Sequence, residues 1–316
     1  MKSRVIKFKT KSDWLEFRKQ GIGGSEVSAV LGVNPYMTRY QLWRLKKGLD
    51  SPQESHFRMK VGNYMEDVIA KLYQEETERE IIKSSAGYWV AQLVDYPHIF
   101  TSPDRTFWIS ASEKKNNKNK GALECKNTML PIDENDIPKH WFVQNQLEIG
   151  VSGLDFGSIA WFSRGADFGY NDYLLDRKFF KYMIEEVDNF WKEYIIGDKI
   201  PDPETSDDVL LMYNCEDLKN SLEVDSNTFQ DYLQLLEYRQ NRMHYSKLED
   251  ELLEKLKVTC GEFEELQYMG QTLATYKFGK PSEKFDKNEF KKENPELYNK
   301  YVTMEASRRF NLKTNK

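Results

Sequence analysis

Ser102-Pro103-Asp104-Arg105-Thr106-Phe107-Trp108-Ile109 and, beyond a polar insert, Gly121-Ala122-Leu123-Glu124-Cys125-Lys126-Asn127 are the stretches whose reading decides the fold. Side chains of a β-strand alternate between its two faces. A strand over 121–127 therefore puts Glu124 and Lys126 on one face and turns Leu123 and Cys125 into the core. Asp104 follows a proline at the head of another β-rich run, 105–111, and antiparallel pairing of the two runs brings its carboxylate beside Glu124. Two carboxylates at that range repel unless a cation lies between them. An all-oxygen site of this kind suits Mg²⁺ or Mn²⁺, which keep several waters and also coordinate phosphate oxygens. Lys126 alongside would orient or deprotonate an attacking water. The same Glu-x-Lys spacing recurs at Glu113/Lys115 and Glu289/Lys291, in charged segments where a solvated face explains it. The middle copy differs in its apolar strand and its upstream Pro-Asp.

Moving outward, Gly87–Asp95 alternates, with Trp89, Ala91 and Leu93 on one face, and joins Ile99–Ser102 as further strands of the same antiparallel set. The insert Glu113-Lys114-Lys115-Asn116-Asn117-Lys118-Asn119-Lys120 has no apolar residue. It reads as a solvated hairpin tip, with a contact to a DNA backbone as the alternative. Downstream, Pro138 can occupy the first turn of a helix over His140–Val151. Gln144 and Glu148 stand one turn apart on one face of it, and Val143, Leu147 and Val151 line another. A glutamine facing the cleft would hold a phosphate or a metal-bound water; otherwise this is an exposed polar face. Residues 155–163 and 168–174 read as a hairpin. Phe180, Met183, Ile184, Val187, Trp191, Tyr194 and Ile195 then mark one long amphipathic helix that covers the sheet.

Upstream, a short helix at Trp14–Arg18 leads into Gly21-Ile22-Gly23-Gly24-Ser25, where Ser25 is read as the N-cap of a helix over Glu26–Leu31 that Gly32 stops. Clustered glycines before a helix N-terminus offer backbone N–H groups to a phosphate, although a tight turn with an ordinary cap also explains them. No Gly-Lys-Ser/Thr follows, which excludes an ATP-type P-loop. Thr38 caps a second helix through Trp43, and Gly48 ends it. From Met59 onward, Met65, Val68, Ile69, Leu72 and Tyr73 recur at helical spacing. Glu66 borders that stripe and is either a boundary glutamate paired with Arg or Lys, or a third metal ligand.

A chain of 316 residues exceeds one typical domain. Gly197–Pro203 marks the expected boundary between a domain over 1–200 and a mainly helical extension over 201–316. The extension reads as a long helix 229–258, a strand 271–278 in a short hairpin, a helix 288–301 broken near Pro295, and a closing strand 308–312. Its basic tail, Arg308 to Lys316, either touches DNA or is simply an exposed terminus. Charged residues make up 31% of the chain, yet the net charge is −5, so any nucleic-acid contact must come from a local basic patch or from metal. Cys125, Cys215 and Cys260 lie far apart, which gives no disulfide framework or Cys-x-x-Cys pair and fits a reducing cytoplasm. No apolar run reaches the ~20 residues of a membrane span. His56, His98, His140 and His244 show no ligand spacing.

Taken in order, Arg18 with Gly21-Ile22-Gly23-Gly24-Ser25, Asn34-Pro35-Tyr36, Gly62-Asn63-Tyr64-Met65-Glu66, Ser102-Pro103-Asp104, Leu123-Glu124-Cys125-Lys126 and Gln144-Asn145-Gln146 resemble the YqaJ-type viral recombinases. These are lambda-exonuclease-like members of the PD-(D/E)xK nuclease superfamily, and the resemblance runs over about residues 14–196. It implies an α/β (α+β) fold, with a central mixed β-sheet flanked by helices around a restriction-endonuclease-like core. It also implies a metal-dependent 5′ to 3′ exonuclease that degrades one strand of duplex DNA from an end, in phage-type recombination or repair. Carried over by position, Glu66, Asp104 and Glu124 would be the Mg²⁺ (or Mn²⁺) ligands, with the Cys125 backbone carbonyl as a further oxygen. Lys126 would position or activate the water, Gln144 would support the site, and Arg18 and Ser25 would hold a DNA phosphate. The implied partners are double-stranded DNA ends, a single-strand annealing protein and further copies of the chain in a homo-oligomeric ring. Cys125 stands where an aliphatic residue is usual, and the insert after Asp104 is longer and more polar than in compact relatives. Competing readings are an endonuclease, an end-processing nuclease of the iron–sulfur type, against which three scattered cysteines argue, and a catalytically silent DNA-end-binding protein.

Overall fold

The computed structural model describes residues 1–50, 57–82, 88–116, 119–213, 221–303 and 309–313. His56, Gly87, Asn117, Lys118, Cys215, Arg308 and Lys316, each named above, lie outside them. The chain forms two units, Met1–Asn214 and Cys215–Lys316. In chain order the first carries β1 (Ser3–Phe8), α1 (Lys11–Arg18), α2 (Gly24–Val30), α3 (Arg39–Lys46), α4 (Phe57–Thr77), β2 (Ile81–Ile82), β3 (Tyr88–Leu93) and β4 (Phe100–Thr101). It continues with β5 (Arg105–Trp108), α5 (Ala111–Asn116), β6 (Lys120–Thr128), α6 (Lys139–Val151), β7 (Phe156–Ser163), β8 (Asp167–Leu174), α7 (Arg177–Phe190) and α8 (Ser206–Met212). The second unit carries α9 (Ser226–Cys260), β9 (Glu265–Tyr268), β10 (Gln271–Thr275), α10 (Lys287–Glu293) and α11 (Pro295–Tyr301).

Five strands make the central sheet in the order β2-β5-β6-β7-β8. Only the β6–β7 pair is parallel. Parallel neighbours cannot be joined by a tight turn, and α6 supplies the crossover between them. One face of the sheet is covered by α4, whose Ile69, Ala70 and Tyr73 pack with Phe107, Leu123, Cys125 and Ala160. On the other face Trp141 of α6 meets Ile159 and Trp161. Val143, Leu147 and Val151 of α6 join α2, α3, β3 and α7 in the largest apolar cluster. The expected fold class is therefore the observed one, and Leu123 and Cys125 point into the core as alternation requires. Val68 leaves the stripe read for α4, being 46% exposed.

Several expectations need correction. β3 and β4 do not extend the central sheet but pair with β1 in a separate sheet, β1-β3-β4. Pro103 lies between β4 and β5, and a proline has no N–H to carry the ladder on. β1 left no trace in the hydropathy pattern because four of its six residues are exposed. The charged insert begins as α5 rather than as a hairpin tip, and Ser110 Oγ accepts from the Glu113 amide at its start. Ser25 is not a cap: α2 starts at Gly24 on Gly23, whose amide donates to Glu26 Oε2 at 2.8 Å. The covering helix is regular only to Phe190 and ends in a π-helical turn, Trp191–Ile196. In the second unit α10 and α11 split at Pro295 as read, but 309–313 form no strand.

Candidate active site

The site begins with register. Arg105 pairs with Leu123, so Asp104, one residue earlier, stands across from Glu124, as the antiparallel reading requires. Asp104 Oδ2 accepts from the Cys125 amide at 2.8 Å. Glu124 and Lys126 share a face, with Lys126 Nζ 2.6 Å from Glu124 Oε1. That face looks toward α6, which supplies Gln144. Its Nε2 donates to Glu124 Oε1 (2.7 Å) and to Glu148 Oε1 (3.0 Å), while its Oε1 accepts from Lys126 Nζ (2.9 Å). Turning the amide over would set N–H₂ against an ammonium and an oxygen against two carboxylates, so the chemistry of its neighbours fixes this orientation. Two of the three N–H donors of Lys126 are engaged. The second glutamine of the Gln-x-Gln, Gln146, faces away from the cleft. It accepts from the Asp176 amide and donates to the Leu174 carbonyl, tying α6 to the β8–α7 junction.

Negative charge is in excess here. Burial, with Glu124 and Glu66 alongside, pushes the Asp104 carboxyl well above the usual range. Burial likewise raises Glu148, aided by Glu124 and Asp104. Glu66 is also raised, burial outweighing the attraction of Arg105. Burial opposes the charge on Lys126, but Glu124, Asp104 and Glu148 overcome it and its pKa lies above the ordinary lysine value. His140 is pushed down to about 4 by burial and by Lys126, so it adds no cation at neutral pH. Glu124 Oε2, Glu148 Oε2 and Thr101 Oγ1 are buried without a hydrogen-bond partner.

Asp104, Glu124, Lys126, Gln144, Glu148 and Thr101 line one cleft of about 480 Å³ together with Glu66, Arg18, Ser25, Ser102 and Gly24. The structure thus brings together every residue expected to act through its side chain. Arg18 Nη2 lies 3.3 Å from Ser25 Oγ, and its guanidinium sits 4.9 Å from the Trp14 ring centre. Glu66 lines the cleft and lies 3.6 Å from Arg105, which also binds Asp67 at 2.6 Å, so the pairing expected of a boundary glutamate is present. The Cys125 thiol faces the core, and burial raises its pKa well above the usual value.

Convergence of three carboxylates on one point is not observed. Among the described residues no three His, Cys, Asp or Glu side chains stand close enough to hold one ion together. Lys126 occupies Glu124 Oε1, Arg105 draws on Glu66, and the Cys125 amide takes Asp104 Oδ2. The donor set nevertheless fits a hard divalent cation: it is all oxygen, it is over-supplied with negative charge, and it has an unpartnered buried carboxylate oxygen on Glu124. The residue that sequence reasoning left out of the site is Glu148, only 1% exposed. Its signal was present, a carboxylate one turn beyond Gln144 on the same helix face, but an exposed polar face explained it equally well.

Fold and cleft together define an α/β protein with a mixed central sheet and a buried acidic site built around a lysine. Residues 13–155 match the family model of the YqaJ-like viral recombinase domain. It is similar to the YqaJ protein of Bacillus subtilis (strain 168), at 24% identity over 96% of this chain and 94% of that one. Among solved structures it is similar to the alkaline exonuclease LHK-Exo from Laribacter hongkongensis, with 15% identity and a TM-score of 0.46 over 59% of this chain and 93% of that one. A phage-related exonuclease from Haemophilus somnus 129PT gives 12% identity and a TM-score of 0.40, over 55% of this chain and 93% of that one.

Proposed function

We propose that this protein is a metal-dependent nuclease that degrades one strand of duplex DNA from an end, 5′ to 3′, in recombination or repair. The observation that carries the reading is Lys126, held between Glu124 and Gln144 in a cleft where buried carboxylates outnumber cations. Glu66, Asp104 and Glu124, with the Cys125 carbonyl, would hold Mg²⁺ or Mn²⁺. The bound ion would polarise the phosphodiester and lower the pKa of a coordinated water toward neutrality.

The chain's own residues define the rest. Glu124, Asp104 and Glu148 raise the pKa of Lys126 against the effect of burial, and its Nζ would orient or activate the attacking water and steady charge on the phosphate. Arg18 and Ser25 lie together on the same cleft and would take a DNA phosphate, with the guanidinium backed by Trp14. With a net charge of −5, attraction for DNA has to be local, and Arg18 and Lys126 in the cleft would supply it. The same reading extends to family partners: a single-strand annealing protein, and further copies of this chain in a ring acting on DNA ends in the cytoplasm.

Incubation of end-labelled linear duplex and covalently closed circles with the protein and Mg²⁺ tests the proposal. Linear DNA is expected to shorten from its 5′ ends while circles persist, and Lys126→Ala to lower the rate by about 10²-fold or more. Full-length linear DNA after prolonged incubation, with wild type and variant alike, would end the nuclease reading. Cut circles would convert it to an endonuclease.

A further inference from the structure

Resting on that nuclease reading, we propose that Glu148 is a positioning residue: it fixes the Gln144 side-chain amide in the one orientation that holds Lys126 for catalysis. A primary amide has two donors on one end and an acceptor on the other. Both donors of Gln144 are taken by carboxylates, Glu124 Oε1 at 2.7 Å and Glu148 Oε1 at 3.0 Å, which leaves Oε1 facing Lys126 Nζ at 2.9 Å. Glu124 alone does not determine this arrangement, because it also pairs directly with Lys126 at 2.6 Å and follows the ammonium if it moves. Glu148 is instead pinned by packing. An added Cβ on Gly24 would lie 3.1 Å from its Oε1 and 2.8 Å from Thr101 Oγ1, so the start of α2 closes over the carboxylate without room to spare. At 1% exposure its side chain is held out of solvent. Glu148 is therefore the fixed acceptor, Gln144 the part it orients, and Lys126 the group whose place is set.

Position 148 supplies two things, an acceptor oxygen and a negative charge, and they are separable. Glutamine keeps the acceptor and removes the charge; leucine of similar length removes both. In the positioning role Glu148→Gln stays within about 3-fold of wild-type turnover, and Glu148→Leu loses roughly 10- to 100-fold in kcat with little change in KM for duplex, as expected when a reacting group is displaced rather than substrate binding weakened. Added to Gln144→Ala, Glu148→Leu should bring no further loss, since it has nothing left to orient.

A second readout is independent of activity. In ¹⁵N-glutamine-labelled metal-free protein, with the Gln144 signals identified by their loss in Gln144→Ala, the side-chain N–H₂ should exchange slowly with solvent in wild type and Glu148→Gln and rapidly in Glu148→Leu. Unchanged exchange in Glu148→Leu, or equal loss of kcat in the Gln and Leu variants, would overturn the proposal. Failure of the nuclease reading looks different: wild type would be inert on DNA while the exchange pattern still followed position 148.

Discussion

At the scale of single residues, the cleft is a place where burial and like charge act against the protein's own stability. The Glu148 carboxyl is raised by burial and by Glu124 and Asp104, while its charge acts in turn on Lys126. A folded-state pKa above the unfolded one means that the native chain holds more protons over that interval, so stability falls as pH rises through it. The favourable condition lies below the unfolded value, about 4.3 for a glutamate, and is lost by the folded value. Glu148→Gln removes this penalty, and its side-chain amide can donate to the neighbouring Glu124 carboxylate. The variant is thus expected to be the more stable protein, by about 1–3 kcal/mol at neutral pH. Thermal melts of metal-free protein from about pH 5 to about pH 8 should show its advantage widening with pH, each kcal/mol being worth about 2–4 °C. A margin that stayed flat or narrowed would mean that Glu148 is not the strained charge.

What could be read from sequence at this scale followed from chemistry that has few alternatives. Period two on β6 put Glu124 and Lys126 together, and a Pro-Asp at the head of the next strand placed Asp104 opposite. Glu148 was not legible in the same way. A charged residue in a helix is exposed far more often than buried, and only the packing of Gly24 and Thr101 over it shows otherwise. The role of Ser25 as a cap was misread because Gly23, with no side chain, is an equally good start when Glu26 reaches back to it.

At the scale of elements, the strands with strong alternation and the helices with caps were legible, while sheet membership was not. β3 alternates convincingly, but alternation says that one face is buried and not against which neighbour. α4 gives a sharper case. Its apolar stripe predicts docking on the sheet, and the structure adds a polar lock: Tyr73 Oη lies 2.7 Å from Ser158 Oγ and accepts from Arg79 at 2.6 Å. Arg79 in turn grips Asp172, which also accepts from Ser158 at 2.6 Å. Burial pushes the Tyr73 phenol up to about 12, so it is neutral and donates at any working pH. Tyr73→Phe leaves Ser158 and Arg79 each short of a partner and is expected to cost about 1–2 kcal/mol in urea unfolding. A loss within error would show the lock to be dispensable and leave the docking of α4, and with it the place of Glu66, to apolar contact alone.

At the scale of the whole chain, the question is where the first unit stops. A Gly-Asp-Lys-Ile-Pro-Asp-Pro run, Gly197–Pro203, is a natural linker by composition and put the boundary at 200, yet the compact unit runs on to Asn214. Composition cannot register what the next residues do. Asp208 is fully buried; its carboxylate accepts from Thr38 Oγ1 at 3.0 Å and from the amides of Glu204 and Thr205. Glu204 Oε1 accepts from the Arg39 amide at the start of α3, and Met212 packs against the main core. A chain ended at 200 therefore strips the first turn of α3 of two partners and uncovers apolar surface, whereas one ended at 214 keeps both. Losses of a helix-start hydrogen bond and of the contacts of a partly buried methionine are each about 1–2 kcal/mol, so the shorter piece should be less stable by roughly 2–4 kcal/mol. Denaturant unfolding of the two pieces measures the difference directly. The longer piece should unfold in one cooperative step with every residue of the cleft retained, and Asp208→Ala within it should account for a large share of the gap. Equal midpoints for the two pieces would put the boundary back at the proline-rich run and reduce α8 to an appendage.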